Sequence, residues 1–504
     1  MLMLSFYANA NMELLPSYLP ADSPPPVIHR HQVLKALERI KVNKAGHPSD
    51  LPLRLIKEFA TELSYPLTSV YNACITEGTF PSVWKTATIV PVPKEKNISS
   101  LDQLRPISLT PIFARVFETF IAKWILQDIS TKLDAKQYGN IKGCSTTHYL
   151  VEMLNFIVEG LDKPGHYAQL CTIDFTKAFD RVNHTIVIQK LLTLGVRPSI
   201  VPIICSFLNG RTHNTKLMGH FSSTKSISCG VPQGTKLGPI LFLVLVNDAS
   251  IDCCRRWKYV DDLTLGEIVQ HGQQEKLQTH LNNLTIWCKD NDVLPKPPKC
   301  KSMVISFLKR QIPASQLIIN SSNLSQVSHL KLLGVTIQSD LKWNLHITDI
   351  ISKASRRLYT ICILKKAKVT VFDILAVYIC YIRPVLEYAC QVWHTSISKE
   401  QNNSLERVQK RALRIILGCG YNTYSHALTT LNIPTLESRR HNLLLKFGNN
   451  IRCSTKFCHL LPPERTNTCN MQLRAASTSG FHIPKCNTER YRKSTLPSLA
   501  RIMK

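Results

Sequence analysis

The run Trp257-Lys258-Tyr259-Val260-Asp261-Asp262-Leu263-Thr264-Leu265 decides how this chain is read. Strand-forming residues flank two adjacent carboxylates. A strand sends successive side chains to opposite faces, so neighbouring Asp residues inside an apolar strand would drive one charge into a core. The pair fits the tip of a tight hairpin, where both acids face one solvent pocket. Carboxylates that share a pocket repel each other unless a cation sits between them. Hard oxygen donors of this kind suit Mg2+ or Mn2+. A bare Asp-Asp pair ordinarily means a solvated turn, so the weight falls on what else the chain carries.

It carries a third acid. Asp174 follows the strand-like Cys171-Thr172-Ile173 and precedes Phe175-Thr176-Lys177-Ala178-Phe179-Asp180. Alone it reads as an acid at a helix start, favoured by the helix dipole. With Asp261 and Asp262 it supplies the three acids of a two-metal phosphoryl-transfer site. One ion lowers the pKa of an attacking hydroxyl and the other balances charge on the leaving phosphate.

Composition agrees with such a substrate. Of 504 residues, 62 are Lys or Arg and 34 are Asp or Glu, a net charge of +28 spread along the chain. A field of this sign favours a polyanion, nucleic acid first and an acidic membrane surface second. Hydrophobic residues make up 44%, enough for a globular core. The 17 Cys show no secretory spacing and include the adjacent Cys253-Cys254, so reduced thiols in a reducing compartment are expected. The longest apolar runs, 239–246 and 374–382, fall well short of the roughly 20 residues a spanning helix needs, so no membrane role is expected. Residues 1–10 lack a basic n-region, and secretion is not expected.

Along the chain, 1–30 reads as an irregular lead-in ending at Pro24-Pro25-Pro26. A helical pattern over 31–63 places Val33, Leu34, Ala36, Leu37 and Ile40 on one face. A loop at 44–52 and a helix at 66–75 accompany it. Residues 86–94 predict a strand ended by prolines. Helices are predicted over 112–129 and 146–160. The strand at 167–175 is expected to run straight into a helix ending near Gly195. A hairpin of 215–218 with 224–229 around Gly219, a buried helix after Pro239, a helix at 274–290 and a strand at 303–307 complete the central part. The fold class is α+β, with a mixed unit over 31–340 and a mostly helical one over 341–460. Residues 461–504, rich in Thr, Ser, Asn and Pro, predict a loosely folded basic tail. Leu405, Val408, Ala412, Ile415 and Ile416 form a helical stripe with Arg407, Lys410, Arg411 and Arg414 off it, a pattern that suits a phosphate backbone.

Several of these stretches resemble motifs of the reverse transcriptases of non-LTR (LINE-type) retrotransposons, closest to the jockey-like and chicken-repeat-like clades. Residues 174–182 resemble motif A, Gly230-Val231-Pro232-Gln233-Gly234-Thr235-Lys236-Leu237-Gly238-Pro239 motif B and Tyr259-Val260-Asp261-Asp262 motif C. Leu332-Leu333-Gly334-Val335 is similar to the motif at the palm–thumb junction, and Arg105-Pro106-Ile107-Ser108-Leu109 to a fingers motif. The resemblance covers roughly 31–450. It implies a right-hand polymerase of fingers, palm and helical thumb that copies an RNA template onto a DNA primer with dNTPs. An endonuclease, separate from or missing from this chain, and action in the nucleus are implied as well.

The resemblance also carries roles. Asp174 and Asp261 would be the main metal ligands and Asp262 a supporting acid. Phe179 would be a steric gate against the ribose 2′-OH, or else a core Phe. Gln233 would lie by the incoming nucleotide, with Gly230 and Gly234 permitting close backbone approach. Arg105 would grip the triphosphate with its bidentate fork, and Lys94 is a second candidate. Lys299 would protonate the leaving pyrophosphate or contact a phosphate. The chain departs from the family at Val260 (usually Ala), at Ala45-Gly46-His47-Pro48-Ser49-Asp50, at Cys144 (often Arg) and at Lys296 (often Asn). These departures keep open a decayed copy that only binds nucleic acid. An RNA-dependent RNA polymerase would carry Gly-Asp-Asp and a smaller gate, and a group II maturase would need an endonuclease motif not seen here. Cys453, Cys458, His459, Cys469, His482 and Cys486 invite a zinc reading, but no tight Cys-x2-Cys pair supports it.

Overall fold

The computed structural model describes residues 24–94, 97–309, 315–464 and 480–503. Two sheets organise the first two thirds. In the first, β1 (Thr86–Pro93) lies between β2 (Leu104–Leu109) and β4 (Arg211–Leu217). β1 is antiparallel to β2 and parallel to β4, and β4 also pairs with β5 (His220–Phe221) and β6 (Lys225–Ile227). β1 ends at Pro93, as the sequence predicts. Pro91 and Pro93 lie past the Thr86–Ile89 stretch that pairs with β4, so their missing N–H groups cost no ladder bond on that side.

The second sheet holds the acids. β3 (His166–Ile173) runs antiparallel to β8 (Asp262–Gln270) on one side and β9 (Lys301–Ile305) on the other. β7 (Arg256–Tyr259) pairs with the far edge of β8, and Ser325–Gln326 pairs in parallel with the outer edge of β9. β3 is apolar on both faces and both are covered. Cys171 and Ile173 join a core built with helices Ile112–Ile129, His184–Thr193, Leu237–Leu245 and Leu277–Asp290. Ala168 and Leu170 point the other way, into a core shared with helix Thr146–Gly160 and the helices from Asn344 onward. Helix Thr146–Gly160 is buried nearly all round, Tyr149, Leu150, Val151, Met153, Leu154, Ile157 and Val158 included.

The helices predicted over 112–129 and 146–160 are present with those bounds. Three expectations are corrected. The helical pattern of 31–63 is not one helix: it falls into Arg30–Glu38, Leu53–Glu58 and the start of Ala60–Glu77, and the loop predicted at 44–52 lies inside the break. The intervening loop supports a distant element. Asp50 Oδ1 accepts from Ile112 N (3.0 Å) and so caps the 112–129 helix. The strand ending at Ile173 does not run straight into a helix. Lys177 turns the chain in the left-handed region (φ 48°), a short 3-10 turn spans Ala178–Arg181, and the helix starts only at His184, capped by Asn183. Finally, the tail is not loose over its described part. Helix Thr495–Ile502 buries Leu496, Leu499 and Ala500 against the 146–160 and 436–452 helices. Asp162, just past the 146–160 helix, accepts from Thr488 N (2.7 Å) and Asn487 N (2.8 Å) and pins the tail in place. Among the described residues no helix is long and apolar enough to cross a membrane.

Candidate active site

Tyr259 pairs with Asp262 across a two-residue turn, so the predicted hairpin is present, but its tip is Val260 and Asp261, and Asp262 is the first residue of β8 instead of sharing the tip. Val260 sits at φ 59°, a conformation a β-branched residue avoids at a cost of about 1–3 kcal/mol. Neighbours hold it there. Gln137 Oε1 accepts from Val260 N (3.2 Å) and Gly139 N (2.9 Å), and Tyr138 N donates to Lys258 O (2.9 Å). A Cβ at Gly139 would stand 2.6 Å from Val260 N and 2.6 Å from its Cγ2, so only glycine lets the two segments meet this closely.

Below the tip lies a buried ion cluster. Arg256 holds Asp134 with two hydrogen bonds (2.8 and 2.9 Å), and Lys258 Nζ lies 2.8 Å from the same carboxylate. Burial alone would raise the Asp134 carboxyl. The Arg256 hydrogen bond and the Lys258 ammonium outweigh it and hold the group at about 2. Its folded value lies below the unfolded one, so its contribution is complete above about pH 4 and fades as pH falls toward 2. The stability margin of wild type over Asp134→Asn should therefore shrink by about 2 kcal/mol across that window in pH-dependent denaturation curves.

The register brings the third acid in. Ile173 pairs with Leu263, so Asp174 emerges beside Asp262, one step from the hairpin tip. Its main chain is fixed from the other side, since Asp174 O accepts from Lys296 N (2.8 Å). The three carboxylates feel one another. Burial, then the charges of Asp261 and Asp174, push Asp262 up to about 6. Burial and Asp174 also raise Asp261, against the pull of its own backbone N–H, Arg105 and Lys94. Acids held together at this cost suit a site whose natural occupant is a cation.

Among the described residues no group of three His, Cys, Asp or Glu side chains stands as a ready-made metal cage. The fit is instead to a hard, strongly hydrated dication, which binds through one or two carboxylates and completes its shell with water and substrate phosphates. Asp174 and Asp261 supply such donors, with Asp262 beside them. Cys453, Cys458, His459, His482 and Cys486, all within the described residues, form no such cluster either; Cys469 lies outside the described residues.

The other predicted residues arrange around these acids. Arg105, exposed on β2, and Lys94, exposed just past β1, are near enough to favour the charged form of Asp261. Lys299 Nζ is 3.9 Å from Asp174 Oδ2, with both side chains well exposed, a loose pair. The 230–234 loop ties the two sheets together. Gln233 donates to Asp180 Oδ1 (3.2 Å), while its carbonyl accepts from Ser108 N on β2 (2.7 Å). Gly234, at φ 125°, passes so close to β2 that a Cβ would be 2.5 Å from Ser108 O. Buried Glu118 anchors the far end of this loop by accepting from Lys236 N (2.6 Å) and Leu237 N (3.1 Å). Phe179 is half-buried, its ring stacked on Phe242 with centroids 4.6 Å apart. Further along, helix Lys399–Leu417 buries Leu405, Val408, Ala412 and Ile416, half-buries Ile415, and exposes Arg407, Lys410, Arg411 and Arg414. Sequence reasoning missed Gln137, Gly139, Asp134 and Glu118. Each acts on a partner more than 100 residues away, and no local pattern marks it.

Comparison with known proteins follows the same residues. Residues 92–337 match the reverse transcriptase (RNA-dependent DNA polymerase) family. The probable RNA-directed DNA polymerase from transposon BS of Drosophila melanogaster is 26% identical over 445 residues, 84% of this chain and 48% of that protein. The RNA-directed DNA polymerase from mobile element jockey of Drosophila funebris is 28% identical over 447 residues, 85% of this chain and 48% of that one. The chain thus spans about half the length of these curated relatives. A truncated apo telomerase of Candida tropicalis overlaps 55% of this chain and 59% of its own at a TM-score of 0.37 and 10% identity, too distant to bear on the fold.

Proposed function

We infer, from the premise that this chain belongs to the reverse transcriptases of non-LTR (LINE-type) retrotransposons, that it is an RNA-directed DNA polymerase. The observation that carries the reading is the β3–β8 register, which sets Asp174 beside Asp262 with Asp261 at the neighbouring hairpin tip. The β1–β2 sheet serves as fingers, the β3–β8 sheet as palm, and the helices from Asn344 onward as thumb and C-terminal extension.

Asp174 and Asp261 hold the divalent cation, Mg2+ or Mn2+, and Asp262 supports them. A divalent ion bound there supplies activation of the primer 3′-OH and charge balance on the departing pyrophosphate. The chain's own residues do the positioning. Arg105 and Lys94 meet the triphosphate from the fingers side, and Lys299 stands on the Asp174 side to donate a proton or hold a phosphate. Gln233 and Gly234 shape the seat of the incoming nucleotide. Phe179, braced by Phe242, closes the space a ribose 2′-OH would need. Arg407, Lys410, Arg411 and Arg414 track the phosphates of the RNA template and DNA primer. Catalysis of this kind is mostly placement and charge neutralisation.

The test is primer extension on an RNA template with dNTPs. Incorporation should require a divalent cation, stop on chelation and return with Mg2+. Intact template binding without any extension would point instead to a decayed copy that only binds nucleic acid. The gate gives a second expected result. Phe179→Val should raise the ratio of rNTP to dNTP incorporation by on the order of 10²-fold in single-nucleotide assays. Losing the Phe242 stack should cost about 1–3 kcal/mol of stability. An unchanged ratio would make Phe179 a core residue only.

A further inference from the structure

The catalytic hairpin is strained at Val260, and something must hold it. The segment 136–139 does so from its open edge. Gln137 and Lys258 form a parallel bridge, Lys258 N donates to Lys136 O (2.9 Å), and Tyr138 N returns a bond to Lys258 O (2.9 Å). Gln137 is 1% exposed, and its Oε1 takes the two N–H groups of Val260 and Gly139. Such a side chain fixes the plane of the Val260–Asp261 turn and with it the direction of the Asp261 carboxylate.

This clamp is in turn seated by the far end of the chain. Lys456 Nζ donates to Gln137 O (3.0 Å), a contact spanning 319 residues. Phe457 stacks on Tyr138 (centroids 6.1 Å, 15°) and on His148 (4.2 Å, 15°). Tyr138 is fully buried and bonds through its hydroxyl to Glu152. Neighbouring Tyr149 donates to Thr264 Oγ1 on β8 (2.7 Å), two residues from Asp262. Residues 456–457 lie more than 100 positions beyond the family match, yet they touch the segment that grips the hairpin.

We propose that Gln137 is a positioning residue for Asp261, and that Lys456 and Phe457 of the C-terminal extension complete its seat. The extension is then part of what aims the metal-binding carboxylates, in addition to any contact with nucleic acid. The proposal rests on the reading of Asp261 as a metal ligand. A group that orients a ligand from behind changes metal affinity when removed, whereas a purely structural residue changes only stability.

The experiment uses the full chain and reads Mn2+ binding directly, by electron paramagnetic resonance of the free ion, beside the Mg2+ dependence of extension and the melting temperature. Gln137→Met keeps the length and removes the acceptor. It should weaken Mn2+ binding and raise the half-saturating Mg2+ concentration about tenfold, with the KM for dNTP unchanged. Gln137→Glu, which keeps an acceptor oxygen, should restore most of the affinity. The double variant Lys456→Met, Phe457→Leu should move the same two quantities in the same direction by less. Wild-type Mn2+ affinity in Gln137→Met, or a loss matched by a fallen melting temperature and not restored by Gln137→Glu, overturns the proposal. Asp261→Asn separates the two layers: if it abolishes Mn2+ binding while Gln137→Met binds Mn2+ like wild type, the clamp fails and the metal site stands. If Asp261→Asn binds Mn2+ like wild type, both fall.

Discussion

Asp261→Asn is expected to lower nucleotide addition by at least about 10³-fold while leaving the protein folded. Asn keeps the size and much of the hydrogen bonding of Asp but removes the charge. The site loses a charged oxygen donor at the tip of the hairpin, where geometry is most tightly constrained. The folded state loses a burden. Asp261 is half-buried beside two other carboxylates, and its charge is the largest electrostatic cause of the raised Asp262 value after burial itself. The variant should melt at or above the wild-type temperature, the usual exchange between activity and stability at a crowded site. Primer extension and calorimetry on the same preparation check both halves. Equal activity in the two proteins would refute the assignment of the site.

Gly139→Ala should be nearly as damaging, by steric means. The new methyl would stand 2.6 Å from Val260 N and 3.0 Å from Tyr259 C, both main-chain atoms that no rotamer can move aside. Either the 136–139 segment or the hairpin tip must shift, and both are stitched by hydrogen bonds. Overpacking of this kind costs about 1–3 kcal/mol. A displacement of about 1 Å at reacting groups lowers rates on the order of 10²-fold. Gly420→Ala is the control, since a Cβ there meets nothing within 4 Å. Activity and melting temperature of the two variants decide the matter; similar behaviour would show that the hairpin tolerates the displacement.

What could be read from the residues divides along a physical line. Features encoded by local pattern were legible. The 112–129 and 146–160 helices announce themselves by periodicity, and Tyr259 to Asp262 by a charge pair that no strand interior would accept. The three acids could be named, though only the β3–β8 register sets Asp174 beside Asp262. Features encoded by distant contact were not legible. Gln137 looks like any polar loop residue until Val260 is seen to donate to it. The last residues misled through composition. Their Ser, Thr and Pro content suggests a solvated tail, while Leu496, Leu499 and Ala500 at helical spacing carry the packing signal. The 31–63 pattern misled in the opposite way, since its apolar face runs on to Ile40 although the helix ends at Glu38, well before the Gly- and Pro-containing loop.

The enclosure of helix Thr146–Gly160 bears on how the protein comes to exist at all. Part of its apolar surface is covered by helices Glu489–Arg492 and Thr495–Ile502, late in the chain, beside Cys390–Trp393. A ribosome adding about 5–20 residues per second leaves that surface bare for roughly 20–70 s after the helix is made. During that interval the nascent polypeptide offers a greasy flank to its neighbours. Chaperone supply and synthesis temperature, as much as any active-site residue, should therefore set the yield of soluble protein from a recombinant host. Fragments that stop near residue 340 should precipitate even though they contain every acid of the site.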